Sequence, residues 1–125
     1  MSHISQTVIP VLRILDENKA REFYIGWLGF KTDWEHRFGE NFPLYCQISR
    51  QSLIFHLTEH YGDCLPGASV RIHMPGVSDF HRELSAKDYR YYKPGLKKQE
   101  WKTLELCLLD PFGNHLIFFE PLNDL

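Results

Sequence analysis

The chain predicts an α+β fold in which one order of elements, a strand, a helix and then three strands, occurs twice within 125 residues. Three observations lead there. The residues behind Asp16 carry a helical apolar stripe between extended runs, and the same succession returns at an offset of about 60 residues. The third is Leu104 to Glu120, two strongly apolar runs flanking Asp110-Pro111-Phe112-Gly113-Asn114. Pro111 presets φ, Asp110 can bond the backbone ahead, and Gly113 or Asn114 tolerates positive φ. The runs therefore read as antiparallel strands closed by a type I turn.

Taken in order, Val8 to Ile14 reads as a strand, with Pro10 marking an edge near its start. Asp16 offers a helix N-cap, and Ala20, Phe23, Tyr24, Trp27 and Leu28 follow at helical spacing up to Gly29, which suits the C-terminal cap. From Phe30 to Phe38 the pattern alternates, placing Phe30, Thr32, Trp34, His36 and Phe38 on one face and Lys31, Asp33, Glu35 and Arg37 on the other. After a loop at Gly39 to Pro43, Leu44 to Ser49 and Ser52 to Glu59 form two strands around Arg50-Gln51. This first module spans about 8–59. His60 to Gly67 is a linker, and the second module spans about 68–121. Ser69 to Met74 is its first strand. Pro75-Gly76 breaks that strand, and Ser78 can cap a helix carrying Phe80 and Leu84 to about Lys87. Tyr89 to Tyr92 is extended, Pro94-Gly95 turns the chain, and the last two strands begin near Trp101.

A composition of 43% hydrophobic and 14% aromatic residues supports a single packed domain. A net charge of −2 argues against nucleic acid or an anionic membrane as partner. The three cysteines, Cys46, Cys64 and Cys107, are widely spaced, so neither a disulfide framework nor a zinc site is expected. Cys107, in an apolar strand, reads as an inert buried thiol. Neither a leader nor a membrane-spanning run stands out, which makes the cytoplasm the expected compartment. No Ser or Cys has a visible base, Glu59-His60 reads as a solvated strand end, and no phosphate-binding glycine loop follows a strand. No catalytic constellation and no cofactor are expected.

Ile9-Pro10-Val11-Leu12-Arg13-Ile14-Leu15-Asp16, Phe23-Tyr24 with Leu28-Gly29-Phe30, and Asp110 to Asn114 ahead of Phe118-Phe119-Glu120 resemble the vicinal oxygen chelate superfamily. That superfamily holds glyoxalase I, extradiol dioxygenases, fosfomycin-resistance enzymes and bleomycin-resistance proteins. Gln99-Glu100-Trp101 is similar to the bleomycin-resistance branch. The resemblance implies cup-like mixed sheets with the helices outside, a homodimer, and ligand grooves at the dimer interface. The superfamily's enzymes hold a divalent metal on the first and fourth strands of each module. Carried over, those positions are Ile9, His56, Ser69 and Ile117, and one imidazole among two isoleucines and a serine does not make a metal site.

If these positions line the cup, alternation also turns Val11, Arg13, Ile54, Arg71, His73, His115 and Phe119 inward. Trp34, His36, Phe38 and Trp101 add aromatic walls. The expected ligand-binding set is Trp34, His36, Phe38, His56, Ser69, Arg71, Trp101, His115 and Ile117, suited to an aromatic or amphipathic small molecule. The expectation is metal-independent binding of an antibiotic or other toxic compound. The modest charge and the two arginines speak less for bleomycin itself than for its mode of binding. The alternatives are a metal-dependent lyase, isomerase or dioxygenase using His56, and an accessory binding module of a biosynthetic pathway.

Overall fold

The structure is a computed structural model that describes residues 6–89 and 93–122. Its elements run β1 (Val11–Arg13), α1 (Glu17–Ala20, continuing as a π-helical segment Arg21–Trp27), β2 (Lys31–His36), β3 (Tyr45–Arg50) and β4 (Leu53–Thr58). The second module follows with β5 (Ser69–His73), α2 (Val77–Ala86), β6 (Leu96–Lys98), β7 (Thr103–Leu109) and β8 (His115–Pro121). Each module makes one four-stranded sheet, ordered β1-β4-β3-β2 and β5-β8-β7-β6. In both, the first strand lies parallel to the fourth and the remaining pairs are antiparallel. The predicted α+β architecture of two repeated modules is the one observed. Among the described residues no helix is long and apolar enough to cross a membrane.

Local chemistry sets the helix ends. Asp16 accepts a hydrogen bond from Lys19 N and caps α1, as expected. Further along the turns widen: Leu28 N donates to Phe23 O and Phe30 N to Tyr24 O, each at 3.0 Å. The wider turn brings Phe23, Tyr24, Trp27 and Leu28 inward together, and all four are buried. Gly29 ends the helix at φ +82°, where an added Cβ would sit 2.7 Å from Arg50 Nη1. No other residue meets both conditions. The second helix starts without Ser78: Gly76, at φ +83°, occupies the cap position, and no side chain caps the helix.

Three further departures matter. Pairing in β2 slips between Thr32 and Trp34, so Asp33 is a bulge. Thr32 and Glu35 therefore turn toward the helix side, opposite Ile48 and Cys46, while Trp34 and His36 lie opposite Gln47 and Tyr45 on the other face. The expected clean alternation fails at that one residue, and Glu35 pairs with Arg21 of the helix. The sixth strand is Leu96–Lys98, a segment read as connection; of the expected extended run, Tyr89 is buried and stacked on Trp27, and residues 90–92 lie outside the described residues. Cys107 is exposed, because its side of β7 is the one turned away from the core. Cys46 is the buried thiol, and burial pushes its pKa up to about 11.

The core lies where both sheets' inner faces meet the helices, with Leu12, Ile48 and Phe55 from one sheet, Leu106, Leu116 and Phe118 from the other, and Phe80 from α2. Polar ties cross between the modules. Trp27 Nε1 donates to Leu84 O at 3.1 Å, and Arg50 forms a two-point ion pair with Glu83, both bonds 3.0 Å. The turn foreseen at Asp110 closes β7 onto β8, with Gly113 at φ +96°. Asp110 Oδ1 accepts from Phe112 N and Asn114 N, and Oδ2 accepts from Tyr24 Oη at 2.6 Å and Asn114 Nδ2 at 2.8 Å. Asn114 also donates to Arg13 O and accepts from Gly67 N and Ala68 N. Asn114→Ala leaves those linker amides and the Arg13 carbonyl unpaired. We expect it to lower stability by about 3 kcal/mol, read as a lower urea midpoint; an unchanged midpoint would show that the linker is held by other means.

Candidate functional site

Alternation from the buried inner residues defines an open face on each sheet, turned away from the core. On the first sheet it carries Val11, Arg13, Trp34, His36, Tyr45, Gln47, Ser49, Ile54, His56 and Thr58. Asp33 joins this face through its bonds to Gln47 and Ser49. A shallow cleft of about 440 Å³ is lined there by Trp34, His36, Phe38, Tyr45, His60 and Asp63. Trp34 is stacked on Tyr45 with ring centres 6.0 Å apart and meets His56 edge to face at 5.3 Å. Phe38 sits between the rings of His36 and His60.

His56, the one imidazole among the four positions carried over from the resemblance, is hydrogen-bonded at both nitrogens. Its Nδ1 lies 2.7 Å from Tyr45 Oη and its Nε2 lies 2.9 Å from Gln47 Oε1. Gln47 Nε2 in turn donates to Asp33 Oδ2, and Ser49 Oγ donates to Asp33 Oδ1. For the neutral ring, one arrangement pairs every donor with an acceptor: Tyr45 donates to Nδ1, and the Nε2 hydrogen goes to Gln47. The bonds from Gln47 and Ser49 hold the Asp33 carboxyl below its ordinary range, and burial raises the Tyr45 hydroxyl. The donor set does not fit a divalent ion. Ile9, Ser69 and Ile117 offer at most a hydroxyl, and His56 already has two protein partners. Among the described residues no three His, Cys, Asp or Glu side chains form a metal-holding group.

On the second sheet the open face carries Ser69, Arg71, His73, Lys97, Glu105, Cys107, Leu109, His115, Ile117 and Phe119. Ser69 stands opposite His115, and Arg71 opposite Ile117. The predicted binding residues thus fall into two groups: Trp34, His36, Phe38 and His56 on the first sheet, and Ser69, Arg71, His115 and Ile117 on the second. Trp101, in the β6–β7 turn, joins the second group through its bond to Glu105.

Sequence reasoning missed Tyr45, Gln47 and Asp33 of the histidine network, and Glu105 at the centre of the second group. Two signals were present. Tyr45, Gln47 and Ser49 alternate with buried Cys46 and Ile48, and Glu105 interrupts a leucine-rich strand. Arg71 beside Glu105, aided by Thr103 and Trp101, holds the Glu105 carboxyl down at about 2. A carboxyl depressed in the folded state is protonated more readily in the unfolded chain. Its stabilisation is complete above the ordinary value of 4.5 and is lost as pH falls through about 2. Urea midpoints taken across that window should fall more steeply for the native chain than for Glu105→Gln; parallel curves would remove this ion pair from the acid response.

The sequence profile described as "Glyoxalase superfamily protein" matches residues 2–124. No curated protein matches the chain. Among solved structures, a bleomycin-binding protein from bleomycin-producing Streptomyces verticillus, complexed with copper(II)-bleomycin, is 21% identical. The match covers 98% of this chain and 100% of that one, with a TM-score of 0.67. The bleomycin resistance determinant encoded on transposon Tn5 is 20% identical, covering 97% of this chain and 100% of that one at a TM-score of 0.72. A glyoxalase-related enzyme from Clostridium phytofermentans is 20% identical, with 96% and 98% covered and a TM-score of 0.74. These identities establish a common fold, and the profile match spans nearly every residue: the chain belongs to the glyoxalase superfamily.

Proposed function

We propose that the protein binds a small aromatic or amphipathic molecule without a metal, in the manner of bleomycin-resistance proteins, and that its cargo is an antibiotic or another toxic compound. One observation carries this reading: the histidine at the metal position is tied on both nitrogens within a network that includes an aromatic wall. A ligating imidazole would have to give up one of those bonds. Exposed aromatic surface beside a few oriented polar groups suits a flat guest. Two such open faces per chain, each incomplete as a cavity, support a homodimer whose grooves lie between protomers. The wide spacing of Cys46, Cys64 and Cys107, which offers no disulfide framework, suits a reducing cytoplasm.

The test has two arms. Elemental analysis after chelator dialysis and re-addition of nickel, zinc, manganese and iron(II) should find metal well below one equivalent per chain. Saturable, near-stoichiometric uptake would replace this reading with a metalloenzyme that uses His56. Calorimetric titration with bleomycin-type compounds should give affinities roughly 30-fold weaker for Trp34→Ala and Trp101→Ala, the loss of about 2 kcal/mol expected of a buried aromatic contact. Unchanged affinity in both variants would remove the aromatic walls from the site.

A further inference from the structure

The open face of the second sheet holds a nearly buried carboxylate whose hydrogen bonds all stay on that face. Glu105 is 3% exposed in β7, between Leu104 and Leu106. Its Oε2 accepts from Arg71 Nη2 at 2.8 Å, Trp101 Nε1 at 3.0 Å and Thr103 Oγ1 at 2.7 Å. None of these bonds reaches the helices or the first sheet. Withdrawing a carboxylate from water is costly, and an apolar residue would pack there without that cost. What the bonds accomplish is to hold Arg71 still.

Arg71 is fixed from two directions. Glu105 takes one edge of the guanidinium, and the Phe119 ring lies beneath it, 4.5 Å from Cζ to the ring centre. The side chain nevertheless remains 46% exposed, and its Nε and Nη1 hydrogens meet no protein acceptor among the described residues. A guanidinium held in place, half exposed and with donors left over, can receive the two oxygens of a carboxylate. Around it lie Ile117 and the Trp101 indole, which is 62% exposed and tethered by its own N–H. Lys97, opposite Glu105 across the β6–β7 pair, adds a second cation, so positive charge exceeds negative on this face.

We propose that Arg71 anchors the carboxylate of an aromatic acid, whose ring lies against Trp101 and the Ile117–Phe119 strip, with Glu105 as the positioning residue. This rests on the small-molecule-binding reading and names a ligand class for it. Three probes of one shape and different charge test it by calorimetry: 2-naphthoate, 2-naphthamide and 2-naphthylmethylammonium. The native protein should bind the carboxylate at least tenfold more tightly than the amide, and the ammonium least. Arg71→Gln should abolish that preference, because the carboxylate loses far more affinity than the amide. Glu105→Gln should shrink the preference severalfold with Arg71 still in place. The carboxylate-to-amide ratio is the readout because a loss of folded protein scales both affinities alike. Equal binding of amide and carboxylate, preference for the ammonium, or a ratio unmoved by Arg71→Gln would overturn the proposal and leave the binding reading standing. Binding of bleomycin-type compounds but of none of the three probes would do the same. Failure of every compound would remove both.

Discussion

The carboxylate of Asp110 and the amide of Asn114 form the knot on which the rest of the structure depends. Between them they satisfy the end of β1, the start of β5, the turn between β7 and β8, and the hydroxyl of Tyr24 in the helical segment. Both residues are buried, so each lost partner would leave a polar group without water to replace it. An apolar contact could tolerate a shift of the two modules, but a set of directional bonds that closes on itself cannot. The relative placement of the two sheets, and hence of their open faces, follows from that closure.

Given that frame, the modules share a topology and differ in their exposed chemistry. The first open face is organised by a largely neutral chain of hydrogen bonds, running from Tyr45 through His56 and Gln47 to Asp33. The second is organised by an ion pair, with Glu105 receiving three donors and Arg71 lying over an aromatic ring. In both cases a polar side chain is immobilised by others rather than by the core. Oriented groups of this kind bind with less loss of side-chain freedom. His56 is held at both ring nitrogens by neighbours on its own sheet, Tyr45 and Gln47.

The fold was legible because its signals are local. The Asp16 cap, the aromatic stripe, the Asp110–Gly113 turn and the alternating strands each follow from neighbouring residues. What escaped was non-local. The bulge at Asp33 is bonded by Gln47 and Ser49 from the adjacent strand, and it puts Thr32 and Trp34 on opposite faces of the sheet. The widened helical turn answers to partners in the second module, among them Asp110 and Leu84. The site was legible in its aromatic and histidine residues, which alternation places on a strand face. The residues that orient them, Tyr45, Gln47 and Glu105, gain their roles from cross-strand geometry that spacing along the chain does not encode.

The parallel pairing of each module's first and fourth strands bears on how the chain reaches this state. β1 has no strand neighbour until β4 has been made, and Arg13 O waits 101 residues for the Asn114 amide. Tyr24 waits 86 residues for Asp110. Bonds spanning such separations require large loops to close before any energy is returned. A nascent chain emerging from its N-terminus therefore carries an aromatic helix whose polar ties are completed only once the β7–β8 hairpin has been made. Sealing the inner surface of the first module thus depends on β7 and β8, far along the chain from the helix they cover.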